Sequence, residues 1–454
     1  MDSNSFKDHY KLRKADIQDP PATIIGKLKY LGPGLILSAT VVGSGELIAT
    51  TSLGAKAGFI TLWVIIVSCL VKVMVQVEVG KHAIHSGETI MASFNKLKGF
   101  KFGKAHWSIW MFLVLMILKL LQVGGIIGGV AIILNIAYPN VSLMVWCIIV
   151  SLLVSSLVYR GYYNIIERFS ILMIALFTVF TLASLYFIQF TSYAFSVDDI
   201  LLGLELNLPK EALLFVFGAF GITGVGGEEI IYYNYWCLEK GYAAYTGPYE
   251  KSKEWLKRAR GWIKVMYLDA FVSMIVYTLI TAVFYLLGAA VLFRRGEVPE
   301  GYAMIETLSS IYTESLGPGA RSVYLIGAAV VLFSTLFSAL AAWTRFYSDM
   351  FGQIGWINFY DTDQRRKMIA WLAWIFPPIW AILFLYIQLP VIMVLSGGLI
   401  GSIILFMVLF MAMYFRYNRL PLELAPNTIY DLMLWMSGLS IFALGVYGIW
   451  QTLA

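Results

Sequence analysis

The stretch VVGSGELIA, Val41 to Ala49, places two glycines, a serine and a glutamate inside an apolar run long enough to cross a lipid bilayer. A near-copy, GVGGEEII, occupies Gly224 to Ile231. Glycine loosens a helix, and a carboxylate within a bilayer is costly. Close helix packing would explain the glycines but not the carboxylates. Each stretch therefore indicates a helix that is interrupted at a functional site.

The composition indicates a membrane protein with many spans. Of 454 residues, 59% are hydrophobic and only 13% are charged, whereas soluble domains carry roughly 25% charged residues. The three cysteines are scattered and predict neither a disulfide framework nor a thiolate metal site. The polar N-terminus does not resemble a signal peptide. The net charge of +6 indicates biased loops rather than nucleic-acid binding, so the predicted partners are the lipid bilayer and a small ion or solute.

Apolar windows of about 20 residues predict the spans. Reading the chain in this way predicts eleven of them, and their limits are 30–54, 58–80, 107–137, 141–159, 165–190, 212–236, 262–293, 319–346, 368–387, 390–415 and 428–452.

Lysine and arginine collect in alternate connections, most densely at 251–264. Such a bias marks the cytoplasmic side, so we expect a plasma-membrane (inner-membrane) protein with its N-terminus in the cytoplasm and its C-terminus outside. The predicted organisation is a cytoplasmic segment, a first five-helix repeat, an extracellular loop, a second five-helix repeat, and an eleventh helix with the C-terminus, at 1–29, 30–190, 191–211, 212–415 and 416–454. The sequence indicates no particular oligomeric state, and a monomer is compatible with it.

The two broken stretches are related to each other. If Ser44 is left out, both read Val-Gly-Gly-Glu-x-Ile, one in span 1 and the other in span 6. Spans five apart cross the membrane in opposite directions, which is the pattern of an inverted repeat of five plus five helices. Paired breaks near the bilayer midplane mark the binding site of many secondary transporters. We therefore predict breaks at Gly43–Glu46 and Thr223–Glu228.

The predicted binding site follows from these breaks. Backbone groups freed by unwinding are tolerated in a membrane only where they line a cavity or meet a substrate. Glu46 and Glu228 are the predicted metal ligands, and because neighbours on a regular helix point apart, we expect only one of Glu228 and Glu229 to face inward. The complete predicted set of substrate-binding residues is Gly43, Ser44, Gly45, Glu46, Thr223, Val225, Gly226, Gly227, Glu228 and Glu229.

Span 3 carries a second candidate group. Lys119 and Gln122 lie one turn apart and share a helical face. Lys119 could pair with a glutamate of the site, could take the place of a coupling cation, or could form a structural ion pair elsewhere. The glycine pairs that follow, Gly124-Gly125 and Gly128-Gly129, are expected to allow close helix packing.

Three further charges and a tyrosine cluster accompany the breaks. Lys72 and Glu78, about two turns apart in span 2, are expected to pair with each other. Asp269, early in span 7, is a candidate gating residue that would contact Arg258 or Arg260. After the second break, Tyr232, Tyr233 and Tyr235 could close a cavity, with core packing expected for at least two of them.

The chain resembles the Nramp-type divalent metal transporters, which share the LeuT fold. LGPGLILSATVVGSGELIATTSLGAKAGF at 31–59 is similar to the family's first helix, and LWVIIVSCLVKVMVQVEVGKHAIHSGETIMASF at 62–94 to its second. RGWIKVMYLDAFVSMIVY at 260–277 resembles the seventh helix, with Asp269 at the family's aspartate. The resemblance implies an all-α LeuT-like protein in which spans 1 and 6 move against a scaffold of spans 3, 4, 8 and 9.

The family's metal-binding motifs are replaced in this chain. Where the family has Asp-Pro-Gly-Asn in its first break, this chain has Gly43–Glu46, and Met-Pro-His of the sixth helix falls on Val225–Gly227. The acidic pair that the family uses for protons falls on Gln122 and Gly125, and its tenth-helix glutamine falls near Gly397. The resemblance therefore implies the scaffold more directly than the substrate.

Two transport functions are compatible with these residues. Carboxylate and carbonyl oxygens suit hard divalent cations such as Mg²⁺ or Mn²⁺, so the first hypothesis is a metal-ion symporter that needs no cofactor apart from the transported cation. The alternative is a transporter of amino acids or other small organic solutes, since breaks of this kind bind substrate carboxylates in the same fold. A membrane-embedded enzyme or receptor is a remote alternative, because no nucleophile with a neighbouring base lies within a span.

Overall fold

The computed structural model describes residues 8–160 and 163–453, which form an almost wholly helical protein. Residues 1–7 of the predicted N-terminal segment and Ala454 of the predicted C-terminal region lie outside the described residues. Up to the loop after the fifth span, the helices are α1 Ile24–Leu28, α2 Pro33–Val41, α3 Thr51–Ala57, α4 Leu62–Ser86, α5 Ile90–Asn95, α6 Trp107–Leu118, α7 Leu120–Ala137, α8 Leu143–Arg160, α9 Tyr163–Phe187 and α10 Val197–Leu202.

The remaining helices are α11 Leu213–Ile222, α12 Gly227–Lys240, α13 Tyr242–Thr246, α14 Lys253–Leu287, α15 Met304–Leu316, α16 Ala320–Ile354, α17 Thr362–Ile387, α18 Pro390–Tyr414 and α19 Thr428–Leu453. Wider π-helical turns occupy Gly45–Thr50, Gly288–Phe293 and Phe415–Arg419, and 3₁₀ turns occupy Lys14–Asp16, Ile188–Phe190, Lys210–Ala212 and Leu422–Leu424. The strands β1 Lys101–Phe102 and β2 Ala105–His106 form a small antiparallel hairpin, in which Lys101 lies opposite His106.

The membrane-spanning class is confirmed. Within the described residues, eight helical segments are long and apolar enough to cross a bilayer, and two shorter apolar helices fall on the predicted fourth and fifth spans. The predicted first span is divided among α2, a π-helical turn and α3. The exact number of eleven spans stays a prediction. The eight segments are Leu62–Ser86, Trp107–Ala137, Lys210–Lys240, Lys253–Phe293, Ala320–Ile354, Thr362–Ile387, Pro390–Arg419 and Thr428–Tyr447.

The first break follows α2. Pro33 occupies the first turn of this helix, where its missing N–H costs nothing. The helix ends at Val41, and the chain resumes after Gly43 as the wide turn Gly45–Thr50, which continues into α3. A Cβ atom on Gly43 would overlap the hydroxyl of Thr335 on α16, so this glycine lets the break approach α16 closely.

The second break separates α11 from α12. The helix α11 ends at Ile222, and Thr223 is already extended. Gly224 has φ of +65°, a left-handed conformation that glycine adopts without steric cost. Gly226 is extended and α12 starts at Gly227, where a Cβ atom would lie 2.5 Å from the backbone nitrogen of Leu405 on α18. The glycines of this stretch therefore shape the break and also allow α18 to pack against it.

The glycine pairs of span 3 serve packing, as predicted. A Cβ atom on Gly125 would lie 2.7 Å from the carbonyl oxygen of Pro390, and one on Gly124 would lie 3.1 Å from that of Trp380. The helix α7 therefore sits directly against α17 and α18, and together with α16 it supports the two breaks.

Candidate functional site

A small buried cavity lies where the two breaks meet α7 and α16. Its volume is about 30 Å³, which is room for about two water molecules. All of its lining residues are buried, so the cavity lies deep within the helical bundle. The lining residues are Thr40, Val41, Ser44, Gly45, Gln122, Val123, Ile126, Ile222, Glu228, Glu229, Tyr232, Thr335, Ala339 and Trp343.

The structure brings only part of the predicted set to this cavity. Five predicted residues line it, namely Ser44, Gly45, Gln122, Glu228 and Glu229. The other predicted residues lie outside the lining, and these are Gly43, Glu46, Thr223, Val225, Gly226, Gly227, Lys119 and Asp269. Several of the residues outside the lining shape the backbone of the breaks, and Lys119 pairs with a carboxylate of the lining.

Glu228 forms an ion pair with Lys119. The side chain of Lys119 is 1% exposed and that of Glu228 is 3% exposed, so solvent screens the pair little. Lys119 lies between α6 and α7, where span 3 is interrupted. Of the roles predicted for Lys119, the structure therefore shows pairing with a glutamate of the site.

Glu229 lines the same cavity as Glu228. The prediction that only one of the two faces inward is wrong, because both belong to the first turn of α12 and the broken end of that helix faces the cavity. The carboxylate of Glu229 lies beside Gly226, close to the backbone N–H groups at the start of α12. Its negative charge thus meets the positive end of the helix dipole.

Glu46 is turned away from the cavity. Its Oε1 atom accepts a hydrogen bond of 2.8 Å from the hydroxyl of Thr281 on α14. Gly45 lines the cavity, and the following residue on a helical turn is rotated by about 100°, so the carboxylate of Glu46 faces α14 instead. The structure therefore does not bring the predicted metal ligands, Glu46 and Glu228, together around the cavity.

Lys72 reaches the second break, and the expected pair with Glu78 is absent. Its ammonium group donates to the carbonyl oxygen of Phe220, and to that of Thr223 at 2.9 Å. A positive charge there meets the negative C-terminal end of α11. Glu78 instead accepts from Lys81 and from the hydroxyl of Tyr430, each at 2.6 Å. The second break thus has Lys72 at its negative end and Glu229 at its positive end.

Asp269 holds the start of α2 and does not contact Arg258 or Arg260. Its two carboxylate oxygens accept from the backbone N–H of Gly32 at 2.8 Å and of Gly34 at 2.6 Å. These N–H groups have no partner within their own helix, and the aspartate also favours the positive helix end. The hydroxyl of Tyr233 on α12 donates to the same carboxylate at 3.0 Å. Asp269 therefore joins span 7 to halves of spans 1 and 6.

The tyrosine cluster divides as the sequence predicts. Tyr232 lines the cavity, whereas Tyr233 and Tyr235 donate to Asp269 and Asp349 respectively. Thr335 and Trp343 on α16 complete the cavity but were not predicted. Nothing in their local sequence distinguishes them from core residues.

Several oxygen atoms around the cavity have no hydrogen-bond donor in the described structure. They are Oε1 of Gln122 and Oε2 of Glu228 and of Glu229, and behind the lining also Oε2 of Glu46; the hydroxyl of Tyr232 at the lining is likewise unpaired. Buried polar atoms are nearly always paired, so a group of unpaired oxygens indicates a missing partner. Among the described residues, no three His, Cys, Asp or Glu side chains form a metal cluster. A bound metal ion would thus take neutral oxygens as well as carboxylates.

A known protein family matches most of the chain. The family described as "Natural resistance-associated macrophage protein-like" (Nramp) matches residues 34–451. An uncharacterized protein of Pasteurella multocida (strain Pm70) is 24% identical over 359 residues, which cover 75% of each chain.

Solved transporters share the fold. A manganese transporter of Eremococcus coleocola has a TM-score of 0.50 at 11% identity, over 97% of this chain and 99% of that chain. The nucleobase-cation symporter Mhp1 has a TM-score of 0.60 at 14% identity, over 93% of this chain and 90% of that one. MhsT in complex with L-phenylalanine has a TM-score of 0.55 at 15% identity, over 95% of this chain and 100% of that chain. At such identities the likeness extends to the LeuT-like fold, which is thereby confirmed, and not to the substrate.

Proposed function

Because the chain belongs to the Nramp family of membrane transporters, we propose that it moves a hard divalent metal cation, such as Mg²⁺ or Mn²⁺, through the cavity between its two broken helices. Transport would be secondary active and would proceed by alternating access. The family and the transporter fold identify a transporter rather than an enzyme. That the fold is shared with a manganese transporter is compatible with the proposal.

The unpaired oxygens carry this proposal. Gln122, Glu228 and Glu229 each bring a buried oxygen without a donor to one small cavity, and Ser44 adds a hydroxyl at the same place. Hard cations prefer carboxylate, amide and other oxygen ligands. A divalent cation would satisfy these oxygen atoms at once, because each of them can offer it a lone pair.

The size and the helix ends favour a cation over the alternative of an amino acid. A cavity of about 30 Å³ holds a metal ion with little accompanying water, and a larger solute would need it to expand. An amino acid of the usual kind would place its carboxylate at a free half-helix N-terminus. Here Glu229 already lies at the start of α12.

Lys119 gives the proposed site a means of charge balance. Two carboxylates, Glu228 and Glu229, and one ammonium group sum to −1 when all are ionised. A divalent cation would change this sum to +1. We expect the cation to displace Lys119 from Glu228, and the loss of one proton from Lys119 would make the site neutral. Proton movement could therefore be coupled to transport without an acidic residue at Gln122.

A proteoliposome uptake panel tests the proposal. Purified protein would be offered Mn²⁺, Mg²⁺, Ca²⁺ and a mixture of amino acids, with and without a pH gradient. The expected result is saturable uptake of at least one divalent cation that responds to the gradient. Uptake of amino acids with no response to any cation would refute the proposal.

Carboxylate variants test the location of the site by calorimetry. Glu229→Gln is expected to weaken cation binding at least tenfold, because it removes a charge that lines the cavity. Glu205→Gln, the same change at an exposed loop residue, is the matched control and should bind normally. Glu46→Gln distinguishes the cavity ligands from the pair Glu46 and Glu228 that the sequence predicts. A smaller loss of cation affinity than in Glu229→Gln supports the cavity ligands. A larger loss would support the predicted pair.

The topology is part of the proposal. We propose that the protein lies in the plasma membrane with its N-terminus inside, and that 30–190 and 212–415 are the two repeats. Cysteines introduced singly at Lys251 and at Asp198 should be labelled from opposite sides of sealed vesicles. Labelling of both from the same side would contradict this arrangement.

A further inference from the structure

A large apolar groove lies on the outside of the helical bundle, away from the transport cavity. It has a volume of about 940 Å³ and is formed by α4, α14 and α19. Its walls carry large apolar side chains that the protein leaves exposed, including Leu70 at 46%, Phe271 at 56% and Met433 at 49%. Because these helices are long and apolar enough to cross the membrane, the groove opens into the lipid.

One end of the groove continues into a basic pocket. This second cavity has a volume of about 580 Å³, and Lys27 and Lys264 line both cavities. The other charged residues of the basic pocket are Lys253, Lys257 and Arg260, and no acidic residue lines either cavity. Five positive charges therefore gather at one end of an apolar groove.

These five charges have no ion-pair partner among the residues that the structure describes. None of the four lysines forms an ion pair among the described residues. Arg260 donates to a backbone carbonyl, that of Glu423 at 2.6 Å, which carries no net charge. Clustered like charges without counter-ions repel one another, so the pocket is suited to an anion.

Exposed apolar residues beside the junction of groove and pocket favour a position at the membrane surface. The short helix α1 exposes Ile24 at 70%, Ile25 at 72% and Leu28 at 48%, and Ile24 also lines the groove. Exposed apolar residues next to lysines are typical of a helix that rests in the membrane interface. Such a position would place the apolar groove in the acyl region and the basic pocket among the headgroups.

We propose that groove and pocket together form a binding site for an anionic phospholipid of the leaflet on the N-terminal side. The acyl chains lie along α4, α14 and α19, and the phosphate lies among Lys27, Lys257 and Lys264. Basic pockets beside membrane helices on the cytoplasmic side bind such headgroups, and the positive-inside rule predicts that this side is cytoplasmic. The site is separate from the transport cavity, and its test does not depend on the substrate.

Native mass spectrometry of the full-length protein in detergent tests the site. Phosphatidylglycerol is expected to bind at least tenfold more tightly than phosphatidylcholine of the same chain length. Lys257→Gln/Lys264→Gln should remove this preference. The control Lys98→Gln/Lys101→Gln, which removes two exposed lysines elsewhere, should retain it. Equal binding of the two lipids, or equal behaviour of the two double variants, would overturn the proposal.

A groove variant distinguishes a lipid from a free anion. Met433→Trp fills the apolar groove and leaves every lysine in place, so it should reduce phosphatidylglycerol binding at least fivefold. Inorganic phosphate at the same concentration should not compete. Unchanged lipid binding in Met433→Trp, or full competition by phosphate, would show an anion pocket without a lipid site. Each variant must elute as the parent protein does in size exclusion, so that misfolding is not mistaken for lost binding.

Discussion

Replacing Lys119 with methionine leaves the carboxylate of Glu228 buried without its counter-ion. Breaking a buried ion pair by removing one partner costs about 3–5 kcal/mol, and a lone charge near the centre of a membrane helix costs roughly 2.5–3.5 kcal/mol. The pair is no more than 3% exposed, so we apply no reduction for solvent screening. The two cost ranges overlap at about 3 kcal/mol, which is the destabilisation that we expect for Lys119→Met. This value lowers the ratio of folded to unfolded protein roughly 10²-fold.

The same reasoning predicts that removing both partners costs much less. Lys119→Met/Glu228→Gln leaves no uncompensated charge, and replacing a complete buried pair is often neutral. We expect the double variant to lie within about 1 kcal/mol of the parent protein. The interaction energy from the double-mutant cycle would then be at least about 2 kcal/mol. Denaturant titration in mixed micelles measures it.

A second buried pair provides the control. The Nζ atom of Lys81 and the Oε2 atom of Glu78 lie 2.6 Å apart, and both side chains are 1% exposed, but neither residue lines the cavity between the breaks. The cycle Lys81→Met/Glu78→Gln should show a similar interaction energy and leave uptake intact. The double variant of Lys119 and Glu228 should fold but lose uptake, because Glu228 lines the cavity. The reasoning would be refuted if the stability effects of Lys119→Met and Glu228→Gln were additive and their double variant retained uptake.

Other perturbations test the structure around the breaks. Lys72→Met should lower stability by about 1–3 kcal/mol, since the two carbonyls at the end of α11 lose their charged donor and keep only the hydroxyl of Ser68. An unchanged thermal midpoint would contradict this role. Gly43→Ala should lower the free energy of unfolding by about 1–3 kcal/mol, because the new Cβ atom overlaps Thr335. Gly319 has open space around it, so Gly319→Ala should change this free energy by no more than about 0.5 kcal/mol. Asp269→Asn should weaken the cap of α2 by about 1–2 kcal/mol. The first backbone amides of α2 should then exchange hydrogen roughly 5–30-fold faster than in the parent protein. Equal exchange rates in the two proteins would count against the cap.

The broken helices could be predicted because their causes are local. The preference of Gly224 for a left-handed conformation and the cost of Glu46, Glu228 and Glu229 in a bilayer depend on residue type and on the surrounding apolar run. The shared pattern in spans 1 and 6 then predicts the inverted repeat. The same local reasoning identified the glycines of span 3 as packing residues.

The partners of the buried charges could not be predicted, because they depend on the rotation of each helix about its axis. Spacing along one helix favoured Lys72 with Glu78, whereas the structure turns Lys72 toward the carbonyl of Thr223, 151 positions away. The prediction for Glu228 and Glu229 assumed a regular helix, but both lie in the first turn after a break. Such choices require the neighbouring helices to be in place.

The class of protein, the two breaks and the segments that line the cavity could be read from residue types alone, since hydropathy, glycine and buried charge act within a few residues. Which oxygens face the cavity depends on how the helices pack. This packing turns Glu46 toward Thr281, pairs Glu228 with Lys119, and places Asp269 at the start of a helix 235 positions earlier. Each of these contacts joins distant segments, and the packing of whole helices sets their geometry.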